Sequence, residues 1–578
     1  MFSHNISFQR LSCTLVCLML GLMLWAVPAE RKFRPVLMQD GTTLEACLYG
    51  DEYFSWMETR DGKIIEPSGD GKTFVFAEST TNAVRQKAMK TRQNAMLRIG
   101  SQETAPLSSK GTAHIPVILV QFQDSVFTVA DTRDDIRQYY DLYCNGTRDG
   151  KRYTAHGSYG SIRDYFLAQS DGAFQPEFTI IGPVTLPQKE NYYANRRSVF
   201  LKETVTLATA DYEGSWKDFD SKNKNQVDMV FIIFAGCGAN NTGDTSNHIW
   251  PFEQPFGVVT LDNGQSINFI CSGCCSENRL ETNKKGEFTH ADGIGVMCHE
   301  VSHALGLPDF YDTNYQAFGM DLWSLMDFGC YGRKGYYPCA YTAYERDFMG
   351  WRELEELTES GTITLEPISE NGIGYKIVND ENPNEYYILE NRQAVGWDAG
   401  ILAKSATNPG LQVTHVDYNA SRWNGNFVNS DKNHQRMTII AANNRYLGTC
   451  DQNLTDEELI LTWKGNLYPY NYTDDNGIAH SNDSLTAYSV PAATVYTASG
   501  FMKKDIHEIR RNDDLTVSLY FGNDYVSSIA ETPAASRPQE MRETDVWYDL
   551  CGRRIRRSQA LPRGLYINQY GRKVLKSR

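Results

Sequence analysis

Beyond residue 25 the chain has no apolar run long enough to cross a bilayer as a helix, which excludes a helical membrane domain downstream of the N-terminus. It also lacks an excess of basic charge. Its 56 Lys and Arg face 71 Asp and Glu, a formal net charge of -15 over 578 residues, which argues against nucleic acid as a partner. A full cysteine ligand set is missing too. Cys271, Cys274 and Cys275 cluster without the further donors a second metal site would need. The polar loop from Asp220 to Asp228 carries Lys222 and Lys224 where a calcium ion would want oxygen donors. Calcium is therefore a minor cofactor expectation, and a polar turn before the strand at Asp228 is the plainer reading.

What is present begins with an export signal. Arg10 closes a polar start, Leu11 to Trp25 form an apolar core, and Val27 and Ala29 occupy small-residue cleavage positions. This places the expected signal at 1–29 and predicts an extracytoplasmic chain, secreted or at the cell surface. Two of the 13 cysteines, Cys13 and Cys17, fall inside it. In an oxidising compartment the remainder predict one or two disulfides around a cleft, with Cys330 and Cys339 flanking a loop.

The most informative run is Cys298-His299-Glu300-Val301-Ser302-His303-Ala304-Leu305-Gly306-Leu307-Pro308-Asp309. Ile294, Met297, Val301, Ala304 and Leu305 recur at helical spacing, so a helix with a core-facing stripe is expected. Residues four apart share a helix face, which lets His299 and His303 direct both imidazoles at one zinc ion. Glu300 then borders the metal as the base that takes a proton from the attacking water and returns it to the leaving amine. Gly306 suits a left-handed cap and Pro308 forbids continuation, so the chain must turn. The turn brings Asp309 forward as third ligand, with Glu345 as the alternative and a purely turn-stabilising role for Asp309 or Asp312 also open. Downstream, Asp321-Leu322-Trp323-Ser324-Leu325-Met326-Asp327 looks like a methionine turn, with Met326 beneath the metal.

The chain here resembles the secreted immune inhibitor A type metallopeptidases. The likeness includes Ile115 to Phe122, Gly160 to Phe166, Gly182-Pro183-Val184, Val227 to Gly236, Ala343-Tyr344-Glu345-Arg346 and Gly350-Trp351. It continues through Tyr386 to Gln393 and His415-Val416-Asp417, covering most of residues 110 to 420. The resemblance implies a zinc endopeptidase with His299, His303 and Asp309 as ligands and Glu300 as catalytic base. It also implies an N-terminal propeptide.

The expected organisation is multidomain α+β. After the signal come a propeptide and linker at 30–108, then a zincin or metzincin-like α/β catalytic domain at 109–356. A β-rich, sandwich-like accessory domain follows at 357–522, where short alternating runs such as Thr362-Ile363-Thr364-Leu365 begin. A linker at 523–545 leads to a small β tail at 546–578, which resembles a C-terminal sorting tail read by outer-membrane secretion machinery. The propeptide is expected to cover the cleft until cleaved, with Cys47, Asp51 or Glu52 weighed as the masking group. Protein or peptide substrates are the expected partners. Tyr311 or Tyr331 could donate to the developing oxyanion. The rival reading is an adhesion protein that keeps a zincin scaffold without turnover, which the intact Glu300 weakens.

Overall fold

The structure is a computed structural model. It describes residues 27–524 except 52–53, 70–71, 96–104, 148, 150–156, 262, 284, 403–407, 452–453, 474–476 and 478, together with 547–548, 564–568 and 573–576. The expected signal up to position 26, Glu52, the expected linker from 525 and most of the tail lie outside the described residues. Val27 to Ala29, the expected end of the signal, are described and buried. Among the described residues no helix is long and apolar enough to cross a membrane. Residues to Asn523 form one compact unit and Asp524–Arg578 another.

The first sheet is an antiparallel meander of β1 (Arg34–Leu37), β2 (Thr43–Gly50), β3 (Ser55–Thr59), β4 (Ile64–Pro67) and β5 (Phe74–Phe76). Alternation along the strands gives it two apolar faces. Val36, Met38, Ala46 and Ile65 share one cluster. Cys47, Tyr49, Trp56 and Ile64 share another, joined by Val84 and Ala88 of helix α1 (Thr81–Ala95) and by Tyr311 and Tyr315 from the loop after the histidine helix. The N-terminal sheet therefore packs directly against that loop.

The central sheet runs in the order β11, β10, β8, β6, β7: Gly286–Ala291, Ser266–Asn283, Val227–Cys237, Gly111–Gln121 and Phe174–Thr185. Its three inner pairings are parallel, whereas β9 (Phe252–Thr260) and β11 pair antiparallel with successive halves of β10. Buried on both faces, β8 reads as a continuous apolar run, as an inner parallel strand should. Met229, Phe231 and Ile233 face helices α2 (Arg133–Asn145) and α3 (Ile162–Gln169), while Val230, Ile232 and Phe234 face α4 (Arg197–Asp211). Helix α5 (Gly295–Ala304) lies on the first of these faces, where Met297, Val301, Ala304 and Leu305 join the same core. The predicted stripe enters this core, but the helix is buried all round, His299, Glu300 and His303 included. At Gly295 a Cβ would meet the Cys330 carbonyl oxygen at 1.9 Å, so only glycine lets the helix start there.

After helix α6 (Ala343–Phe348) come β12 (Glu355–Glu356), β13 (Gly361–Leu365), β14 (Tyr375–Asn379), β15 (Asn382–Arg392), β16 (Gly410–Asp417) and β17 (Met437–Ile439). β18 (Tyr470–Thr473) pairs with β19 (Ala479–Asn482), and β20 (Ile506–Arg511) and β21 (Val517–Phe521) close this part. A five-stranded sheet (β12, β14, β15, β16, β17) faces a core shared with the three-stranded β13, β21, β20. On its other side Ile388, Val416 and Met437 enter the same core as α5. The β-rich region is thus built onto the central part through shared apolar packing, and the chain is a mixed α/β protein. In the second unit β22 (Trp547–Tyr548), β23 (Gly564–Asn568) and β24 (Lys573–Lys576) form a small antiparallel sheet.

Among the described residues the expected disulfides do not form. All ten described cysteines are free thiols, nine of them buried. Strand alternation explains part of this: Cys271 and Cys275 point into one core and Cys274 into the opposite one. Burial pushes the Cys330 and Cys339 thiols well up, so they pack as small protonated apolar groups.

Candidate metal centre

Helix α5 ends as its sequence demands. Gly306 takes a φ of 103°, and the Gly306 and Leu307 amides donate back to His303 and Ser302 carbonyls at 2.8 and 3.2 Å. The chain then doubles back through Pro308. This brings Asp309 Oδ1 to 3.1 Å from His299 Nε2 and 3.4 Å from His303 Nε2. The two Nε2 atoms are 3.0 Å apart. Among the described residues, three converging His, Cys, Asp or Glu ligand atoms meet only at His299, His303 and Asp309, all buried.

The imidazole tautomers decide what this cluster can hold. His299 Nδ1 lies 2.8 Å from the Leu325 carbonyl and His303 Nδ1 lies 2.8 Å from the Leu307 carbonyl. A carbonyl only accepts, so each Nδ1 carries the proton and each Nε2 presents a lone pair. Burial, the largest influence, holds His303 below the ordinary histidine range against the pull of Asp309, which favours the neutral ring. Two lone pairs and a carboxylate oxygen thus face one another at 3.0 to 3.4 Å. Such a set is repulsive unless a cation sits among it, and its donors suit zinc.

Remote residues hold this geometry. Asn426 accepts from the Asp309 amide at 2.7 Å and donates to Asp309 Oδ2 at 2.6 Å, leaving Oδ1 for the cluster. The Met326 carbonyl accepts from the Phe310 amide at 2.8 Å, so the turn around Leu325 and Met326 supports both His299 and the residue beside Asp309. Glu345, the alternative ligand, is used elsewhere. It accepts from Ser324 Oγ at 2.5 Å and from the Thr342 amide at 2.6 Å, capping α6. Asn426 carried no signal in the sequence, because it lies 117 residues from its partner in a stretch read as accessory.

Glu300, buried beside the histidines, accepts from the Val27 amide at 3.0 Å. The segment that follows continues along the cleft. Trp250 Nε1 donates to the Val27 carbonyl at 3.2 Å, and Tyr331 Oη donates to the Pro28 carbonyl at 2.6 Å. Tyr315 Oη accepts from the Ala29 amide at 3.1 Å. The Glu30 carboxylate meets Arg279 and Asn241. Of the two tyrosines expected near the oxyanion, Tyr331 touches this segment, whereas Tyr311 packs its ring on Tyr315. Neither Cys47 nor Asp51 joins the histidine cluster. The Cys47 thiol sits in the N-terminal core and accepts from the Lys32 amide.

Calcium finds no support. Asp220 accepts from the Lys224 and Asn225 amides at 2.9 and 2.6 Å and Asp228 Oδ2 from the Ser221 amide at 2.9 Å, so the loop's own backbone takes up these oxygens, while Asp228 Oδ1 is buried without a hydrogen bond among the described residues.

Residues 102–353 match the family model described as immune inhibitor A peptidase M6, catalytic domain. That segment is similar to the catalytic domain of immune inhibitor A type peptidases. The match contains the whole cluster and Glu300 but ends before Asn426. Among curated relatives, "Pre-pro-metalloprotease PrtV" of Vibrio cholerae is 41% identical over 288 residues, 42% of this chain and 30% of that protein. "Immune inhibitor A" of Bacillus thuringiensis is 25% identical over 224 residues, 33% of this chain and 31% of that protein. A protein of Arthroderma benhamiae with the provisional name of secreted metallopeptidase is 25% identical over 235 residues, 35% of this chain and 33% of that protein. The chain spans about a third of the length of the curated relatives it matches. The family implies a catalytic metal.

Proposed function

We propose that the protein is an exported zinc endopeptidase, made as a zymogen, that hydrolyses peptide bonds in protein substrates. The observation that carries this reading is the meeting of two Nε2 lone pairs with Asp309 Oδ1 beside Glu300. His299, His303 and Asp309 would hold the zinc. When bound there, zinc polarises the scissile carbonyl and lowers the pKa of the attacking water. Glu300 takes the proton of that water and passes it to the leaving amine nitrogen. The Val27 amide on Glu300 supports this role, since it puts a peptide nitrogen where such a proton would be delivered. Leu325 and Leu307 fix the imidazole tautomers, and Asn426 fixes the carboxylate.

The zymogen reading is supported by Glu30 held on Arg279 and Asn241 and by the packing of the N-terminal sheet on Tyr311 and Tyr315, whereas Val27, which meets Glu300, falls within the expected signal at 1–29 and leaves with it. Export is supported by the apolar N-terminal run and by the relatives named as secreted or pre-pro enzymes. The sorting role of 546–578 rests on sequence resemblance alone, and a tail-deleted chain that still reached the cell surface would remove it.

Cleavage of a denatured protein, with and without a chelator and with Glu300→Gln, tests the central reading. Loss with chelator, recovery with added zinc and loss in the variant are expected. Folded, zinc-loaded protein that cleaves nothing after removal of the N-terminal segment would overturn it.

A further inference from the structure

Residues 27–34 show how a peptide lies in this cleft. Val27 meets Glu300 through its backbone nitrogen, and the next carbonyls are read by Trp250 and Tyr331. Backbone contacts of this kind do not depend on the side chains they carry. The Glu30 amide donates to the Asn240 carbonyl at 3.0 Å, continuing the same path. Charge enters at residues 30, 31, 32 and 34, and of these Arg34 donates only to backbone carbonyls, those of Thr242, Asn241 and Leu280.

Arg279, on β10, is 1% exposed and already oriented by its own domain. Its Nε bonds Glu281 at 3.1 Å and its Nη1 bonds Asp292 at 3.2 Å, which leaves Nη2 turned to the cleft, where Glu30 takes it. Asn241 adds a second donor to Glu30 at 2.5 Å and is itself fixed by the Leu280 amide at 2.6 Å. Two residues on, Lys32 Nζ reaches the Leu280 carbonyl at 2.8 Å and Glu281 Oε2 at 3.1 Å, sharing that carboxylate with Lys334. Without the segment, Arg279 and Lys334 balance Glu281 and Asp292. Glu30 and Lys32 add one charge of each sign to this group.

Resting on the peptidase reading, we infer that the cleft selects substrates by charge beyond the cleaved bond. Arg279 and Asn241 take an acidic side chain three residues after the one whose nitrogen meets Glu300, and Glu281 takes a basic side chain two residues further on. Arg279 and Asn241 thereby act as specificity-determining residues.

The test uses the full chain, as wild type and as Glu30→Gln, whose own segment loses its anchor. Fluorescence-quenched peptides differ only at the acidic position, as Glu, Gln or Lys, and a denatured protein serves as the common control substrate. A kcat/KM about tenfold or more higher for Glu than for Gln, with Lys lowest, is expected for a hydrogen bond to a charged group. In Asn241→Asp, which sets a carboxylate in the pocket, the Glu preference should collapse. Equal rates for the three peptides, or cleavage of the denatured protein with none of the Glu peptide, would overturn the subsite and leave the peptidase reading standing. No cleavage of any substrate by either chain, even after its N-terminal segment is cut away, would overturn both.

Discussion

Two short segments meet at Glu300, and they were written into the sequence in different ways. The run from Gly295 to Asp309 builds its site from neighbours: two histidines one helical turn apart, a capping glycine, a proline and an acid. The run from Val27 to Arg34 has no such internal logic. Apart from Ala46, Cys47, Gly50 and Arg60 in and beside the first sheet, the polar groups that hold it are more than 200 residues away. Chemistry fixed by local spacing is legible from a sequence, whereas complementarity between distant segments is not.

The largest effect that could break this contrast comes from Glu300→Gln. If the helix supplies the acid-base chemistry and the distant segment only occupies the cleft, peptide hydrolysis falls by about 10²–10⁴-fold, with metal content unchanged. Initial rates on a denatured protein, paired with elemental analysis of the purified chain, read both. Loss of metal together with activity would mean that Glu300 belongs to the ligand set, and the division of roles would fail.

A second change asks how local the helical site is. Asn426 holds both the amide and Oδ2 of Asp309 from 117 residues away. Asn426→Ala should weaken metal binding by about 10–100-fold, the usual cost of losing a partner behind a ligand, and chelator competition measures it. Unchanged affinity would show that the turn after Gly306 positions Asp309 unaided. Here lies the boundary of what sequence reasoning reached. The stripe from Ile294 to Leu305, the cap at Gly306 and the approach of Asp309 were all legible. The Leu325 and Leu307 carbonyls were not, because backbone atoms carry no residue identity. Asn426 was hidden by a contact across the whole central core. The expected disulfides failed for a related reason: counting cysteines says nothing of which face of a strand each one takes.

On the side of the distant segment, Glu30→Gln removes the negative partner of Arg279 while Glu281 and Asp292 still hold the guanidinium. Loss of a hydrogen bond to a charged group is expected to lower the free energy of opening residues 27–34 by about 1.5–3 kcal/mol. Hydrogen exchange of that peptide should speed up correspondingly, while exchange within α5 stays the same. Faster exchange in both would mean that the two segments stabilise each other and form one cooperative unit.

The smallest effect concerns pH and the same charged group. Desolvation raises the Glu281 carboxyl, but Lys334, Lys32 and Arg279 outweigh it and bring it down from 4.5 to about 2. His290 stands 4.0 Å away on β11, and Glu30 and Asp292 share Arg279 with it. A carboxyl whose folded pKa is depressed stabilises the folded chain fully above its unfolded pKa, near 4.5, and loses that contribution as pH falls toward 2. Comparing wild type with Glu281→Gln isolates this group from general acid unfolding. The stability advantage of the wild type should be steady above about pH 5 and shrink from there toward pH 3, read as the difference in midpoint of urea unfolding. Lys334 and Arg279 belong to the central domain and Lys32 to the N-terminal segment, so only part of the shift reports on that segment. Lys32→Met should therefore flatten the pH dependence partly, and a variant that flattened it completely would assign the whole effect to the distant segment.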